Sequence, residues 1–167
     1  GQHSMDFSIS DLAEEVSDLA HESAGGGKPI EELTSDELYN LGLDLEELDQ
    51  NQAKNVYQRA ASLDPTNVDA IINLGRILLL EGDLKMAKLA YELGLSLNPR
   101  HELANYNLGT IFDELDETSI ASSYYEKAPN VPDAHYNLAR LKELAGDQVS
   151  AKRHLQLYKE LVELEGF

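Results

Sequence analysis

The stretch VDAIINLGRILLLEGDLKMAKLAYELGLSLNP, residues 68–99, decides the fold. Its first half carries apolar residues at helical spacing up to Leu80. Gly82-Asp83 then supplies a turn, and a second helical pattern runs from Leu84 to Leu97. Asn98-Pro99 closes it, because proline cannot continue a helix. The unit is a helix, a tight turn and a second, antiparallel helix. Neither helix can bury its apolar face alone.

The unit recurs. Asn73-Leu74-Gly75 aligns with Asn40-Leu41-Gly42 and Asn107-Leu108-Gly109, and then with Asn137-Leu138-Ala139. Each copy places an alanine at the start of its second helix: Ala53, Ala87, Ala121 and Ala151. A bulky residue follows four positions later, as Tyr57, Tyr91, Tyr125 and Leu155. Three copies then have a small residue, Ala60, Gly94 or Ala128, and two end in Asp64-Pro65 or Asn98-Pro99. Glycine inside a helix normally costs about 1 kcal/mol relative to alanine, so its recurrence points to a close approach by a neighbouring helix. The tyrosines are the candidates to fill the space opposite.

This pattern resembles the tetratricopeptide repeat, whose period is about 34 residues. The resemblance implies an all-α, right-handed helical solenoid of antiparallel helix pairs, preceded here by an extra amphipathic helix. Expected boundaries are residues 35–67, 68–101, 102–131 and 132–167 for four repeats. Residues 1–4 read as a tag remnant, 5–24 as the N-terminal helix and 25–34 as a Gly-rich tether. The third repeat lacks four residues after Ala128, where Pro129-Asn130-Val131-Pro132 replaces a helix end and loop. About one turn of its second helix should therefore be missing. The first repeat lacks one residue in its turn, at Leu48-Asp49-Gln50. Repeats 2 to 4 also resemble such modules in bacterial regulatory proteins, which carries an alternative role in assembly of a larger regulator.

Composition narrows the function. The chain has 167 residues, no cysteine and a formal charge of −18. A disulfide framework is excluded. Nucleic acids and anionic membranes need a basic footprint, which this charge opposes. Residues 5–24 are acidic and do not read as a signal peptide, and the run Ile77–Leu80 is too short to span a bilayer. The expectation is a cytoplasmic protein with a protein or peptide partner, no cofactor and no metal.

No motif points to catalysis. In AGGGKP, residues 24–29, Glu22 and Pro29 occupy positions where a phosphate-binding loop requires glycine and a hydroxyl residue. The histidines His3, His21, His101, His135 and His154 have no second ligand at metal spacing. Cysteine chemistry is impossible, and no GxSxG occurs. The carboxylate pairs Glu46-Glu47 and Asp113-Glu114 read as solvated helix surface.

The resemblance implies that the first helices of the repeats line a concave groove. Their lining residues would be Tyr39 and Leu43, then Ile72, Asn73, Arg76 and Leu79, then Tyr106, Asn107, Thr110 and Asp113, and finally Tyr136, Asn137, Arg140 and Glu143. A side-chain amide pairs with a peptide backbone as donor and acceptor, or bonds within the scaffold. Arg76 and Arg140 could pair with acids of a ligand. A carboxylate clamp of the kind that binds chaperone C-termini is not expected, since Tyr39, Leu43, Tyr106 and Thr110 stand at its positions. Two apolar stripes are left for an intramolecular or homodimer contact: Phe7, Ile9, Leu12, Val16 and Leu19 near the start, and Leu157, Leu161 and Leu164 near the end.

Overall fold

The computed structural model describes residues 28–166. Among these residues every regular element is helical. After a 3-10 turn at Ile30–Glu32 come α1 (Ser35–Leu45), α2 (Gln50–Leu63), α3 (Val68–Leu80) and α4 (Leu84–Leu97). Then follow α5 (Glu102–Glu114), α6 (Thr118–Glu126), α7 (Pro132–Leu144) and α8 (Gln148–Glu165). Expected and observed helix ends coincide for α3 and α4. The N-terminal stripe from Phe7 to Leu19 lies outside the described residues.

Two compact units divide at Ile77/Leu78, within α3. In the first, Leu33, Leu38, Leu41 and Leu45 pack against Ala53, Val56, Tyr57, Ala60, Ala70 and Ile77. In the second, one core joins Ala121, Tyr125, Ala128, Ala134, Leu138 and Leu141, with Tyr106, Phe112 and Val131 at its edge. Small residues let the paired helices approach, and the tyrosines fill the space.

Residues 28–34 are not a tether. Leu33 is buried in the first core. Lys28 pairs with Glu37 at 2.9 Å. Thr34 and Glu37 form a reciprocal capping box at the start of α1.

The turns differ in ways the sequence explains. Gly82 and Gly146 adopt φ of +80° and +82°, which glycine allows at no steric cost. The corresponding residue between α5 and α6 is Asp116, held at φ +60°. Asp83 and Asp147 cap α4 and α8 by accepting from Met86 N at 3.2 Å and Ser150 N at 3.1 Å. Their counterpart Glu117 makes no side-chain cap to α6. At 9 residues, α6 is five shorter than α2 or α4, as the missing residues after Ala128 require. In the first repeat the missing residue shortens α1, which ends at Leu45, and Asp49 caps α2 directly.

Candidate functional site

Counting from Gly42, Gly75, Gly109 and Ala139 puts the functional positions in one register. Three residues before stand Tyr39, Ile72, Tyr106 and Tyr136. Two before stand Asn40, Asn73, Asn107 and Asn137. One after stand Leu43, Arg76, Thr110 and Arg140, and four after stand Glu46, Leu79, Asp113 and Glu143.

In the first unit these positions form a bonded cluster. The Tyr39 and Tyr57 rings lie 5.9 Å apart, tilted by 38°. Tyr57 Oη donates to Glu46 Oε1 at 2.5 Å and accepts from Asn73 Nδ2 at 3.4 Å. Arg76 pairs with the other Glu46 oxygen. Burial, then the Glu46 carboxylate, pushes the Tyr57 hydroxyl well above its ordinary range, so it stays protonated and donating. Burial and the charge of Asp69 also raise Tyr39.

The second unit repeats the arrangement. Tyr106 and Tyr125 are 5.8 Å apart with the same 38° tilt. Tyr125 Oη donates to Asp113 Oδ2 at 2.9 Å, and Arg140 pairs with the same oxygen. Burial, then Asp113, raises Tyr125. Tyr106 is raised chiefly by burial, opposed by a hydrogen bond with Asn137. Asn107 Nδ2 donates to Tyr91 Oη at 3.0 Å. Thr110 Oγ1 donates to the Asn107 carbonyl at 2.7 Å. Tyr136 is 52% exposed, its ring 5.4 Å from that of Tyr158.

The expected lining residues therefore divide. Tyr39, Asn73, Tyr106, Asn107, Thr110 and Asn137 are partly exposed, while Leu43, Tyr136 and Arg140 are exposed. Ile72 is 3% exposed, so its side chain is a packing contact and not open surface. Asn73 and Asn107 bond within the scaffold through Nδ2. Arg76 and Arg140, expected to meet a ligand's acids, already pair with Glu46 and Asp113 within the chain. Glu46 and Asp113, read from sequence as solvated surface, are the residues that fix those arginines. Their signal was present in the register: an acid four after one marker and an arginine one after the next.

Two residues four before the markers share another task. Asn105 Nδ2 donates to the carbonyls of Pro99 at 3.1 Å and His101 at 3.0 Å. His135 Nε2 lies 2.8 Å from the Pro129 carbonyl, which can only accept, so this nitrogen carries hydrogen. In neutral His135 the other nitrogen is then an acceptor. It lies 3.0 Å from His154 Nδ1, which must donate. Burial first, then His135, holds His154 below its ordinary pKa. At the other end, Leu157 and Leu161 are partly buried and Leu164 is 74% exposed.

Comparison with known proteins agrees with this organisation. Residues 38–67 and 56–88 match models described as tetratricopeptide repeat. No curated protein matches the sequence. Among solved structures, a crystal structure of MamA is similar at a TM-score of 0.74 and 21% identity, covering 96% of this chain and 98% of that one. A second MamA crystal structure gives 0.71 at 20% identity, covering 95% and 96%. MamA 41-end from Desulfovibrio magneticus RS-1 gives 0.70 at 21% identity, covering 93% and 98%. The fold is the helical solenoid of those structures, and residues 38–88 match tetratricopeptide repeats.

Proposed function

We propose that the chain is a non-catalytic protein-interaction module whose first-helix faces receive a peptide or helix of a partner. The observation that carries this reading is the surface around Tyr136, Asn137 and Tyr106. There the exposed Tyr136 ring stands next in sequence to Asn137, whose side chain hydrogen-bonds the partly exposed Tyr106. Aromatic anchors beside a polar group that fixes orientation are what peptide recognition uses. The test is selection of peptides on the whole chain, followed by binding to Tyr136→Ala and Asn137→Ala. Losses of about tenfold or more support the reading, and unchanged affinity for both variants contradicts it.

A second reading makes residues 5–24 an occupant of the same surface. Leu33 and the Lys28–Glu37 pair fix the point from which this segment leaves. A short flexible link supplies an effective concentration of about a millimolar when its length suits the span, and residues 25–27 are what is left to act as one. Deleting residues 5–24 should then raise peptide affinity, and no gain removes this reading.

The regulatory alternative places assembly at α8, where Leu155, Val162 and Leu164 are exposed. Light scattering on the whole chain and on Leu164→Glu tests it. A dimer lost in the variant supports assembly, and a monomer in both excludes it.

A further inference from the structure

The acid four after one marker holds the arginine one after the next, as Glu46–Arg76 in the first unit and Asp113–Arg140 in the second. At the intervening register positions the pattern is interrupted. Leu79 stands in the acid position and Thr110 in the arginine position, and the Thr110 hydroxyl is turned back onto the Asn107 carbonyl. An opening of about 570 Å³ lies there, lined by Leu79, Thr110, Asp113, Glu114, Tyr125 and Asn137. It has an apolar wall, an acidic wall and no cation in its lining.

The acidic wall is not fully used. Tyr125 and Arg140 both bond Asp113 through Oδ2, which leaves Oδ1 without a partner among the described residues. Glu114 is exposed and forms no ion pair among them. Two carboxylates against one arginine leave a net negative charge at the opening.

We propose that this opening receives a lysine or arginine side chain of the partner peptide. The inference rests on the peptide-binding reading above and names the chemistry of its ligand. The methylene stem lies along Leu79, as long basic side chains do on apolar surface. The charged end meets Asp113 Oδ1 and Glu114. An acidic side chain at this point faces two carboxylates and is rejected.

The experiment selects phage-displayed random peptides on the whole chain. The tightest is synthesised with a fluorescein label, and its affinity is measured by anisotropy. The expected peptides share a lysine or arginine at one fixed position. Replacing that residue by norleucine, or changing Glu114→Lys, should weaken binding by about tenfold or more, the range of a close charge pair at an interface. Circular dichroism confirms that the Glu114→Lys variant folds, as expected for an exposed site. Peptides that need Tyr136 but carry no basic position, or bind Glu114→Lys unchanged, overturn this inference and leave the groove reading standing. Peptides indifferent to both Tyr136→Ala and Glu114→Lys overturn both.

Discussion

A methyl group on Gly42 would sit 2.3 Å from Cε1 of Tyr57, inside the ring's own contact distance. At Gly109 the same group would meet Tyr125 Cδ1 and Cε1 at 2.7 Å. In the last repeat Ala139 replaces the glycine, and Leu155 replaces the tyrosine. The missing side chain and the large ring are two halves of one fit. Gly42→Ala should therefore destabilise the chain by about 2 kcal/mol, the usual cost of overpacking, although alanine favours the helix. Urea unfolding of Gly42→Ala, Tyr57→Leu and the double variant checks this. The double variant should be more stable than the sum of the two single changes predicts.

The α5–α6 turn can be improved. Asp116 holds φ +60°, and Glu117 leaves α6 without a side-chain cap. Asp116→Gly should stabilise by about 1 kcal/mol by removing left-handed strain. Glu117→Asp should add about 1 kcal/mol by capping α6 as Asp83 and Asp147 cap their helices. Raised urea midpoints in each variant are the expected result.

Asn105 is 1% exposed and holds two loop carbonyls. Asn105→Ala removes this side-chain donor from both, leaving the His101 carbonyl only the Asn105 backbone N–H, and should cost about 1 kcal/mol, the net worth of a typical hydrogen bond. Its register equivalent, His135, holds Pro129 by one ring nitrogen. His135→Asn should therefore be tolerated better than His135→Ala, as thermal unfolding at pH 7.5 would show.

The histidine pair makes stability depend on pH. The folded pKa of His154 lies below its unfolded value of 6.5 through burial and His135, helped by Arg153 and Lys142 and opposed by Glu126. The unfolded chain binds this proton more readily, so stability is present above pH 6.5 and falls as pH drops through that value. Unfolding midpoints between pH 7.5 and 5 should decline, and more steeply in the native chain than in His154→Gln. Equal slopes contradict the assignment.

The fold was legible where glycine and proline punctuate the chain. Gly82-Asp83 and Asn98-Pro99 set the ends of α3 and α4, and the spacing of 30 between Gly109 and Ala139 announced the short α6. The end of α1 at Leu45 was not legible, because no glycine marks its turn. Residues 28–34 looked like linker beside three glycines, yet Leu33 belongs to a core that only tertiary packing reveals. The register also aligned the first-helix positions with one another. The pairing of Glu46 and Asp113 with arginines 30 and 27 residues away was written in the same register but not read, because each acid looked solvated on its own helix.

The most direct measurement is amide chemical-shift mapping of the whole chain with the tightest selected peptide. The account predicts saturable shifts concentrated at Tyr106, Thr110, Glu114, Tyr136 and Asn137. Shifts confined to the exposed faces of α6 and α8, with those five unmoved, would contradict it.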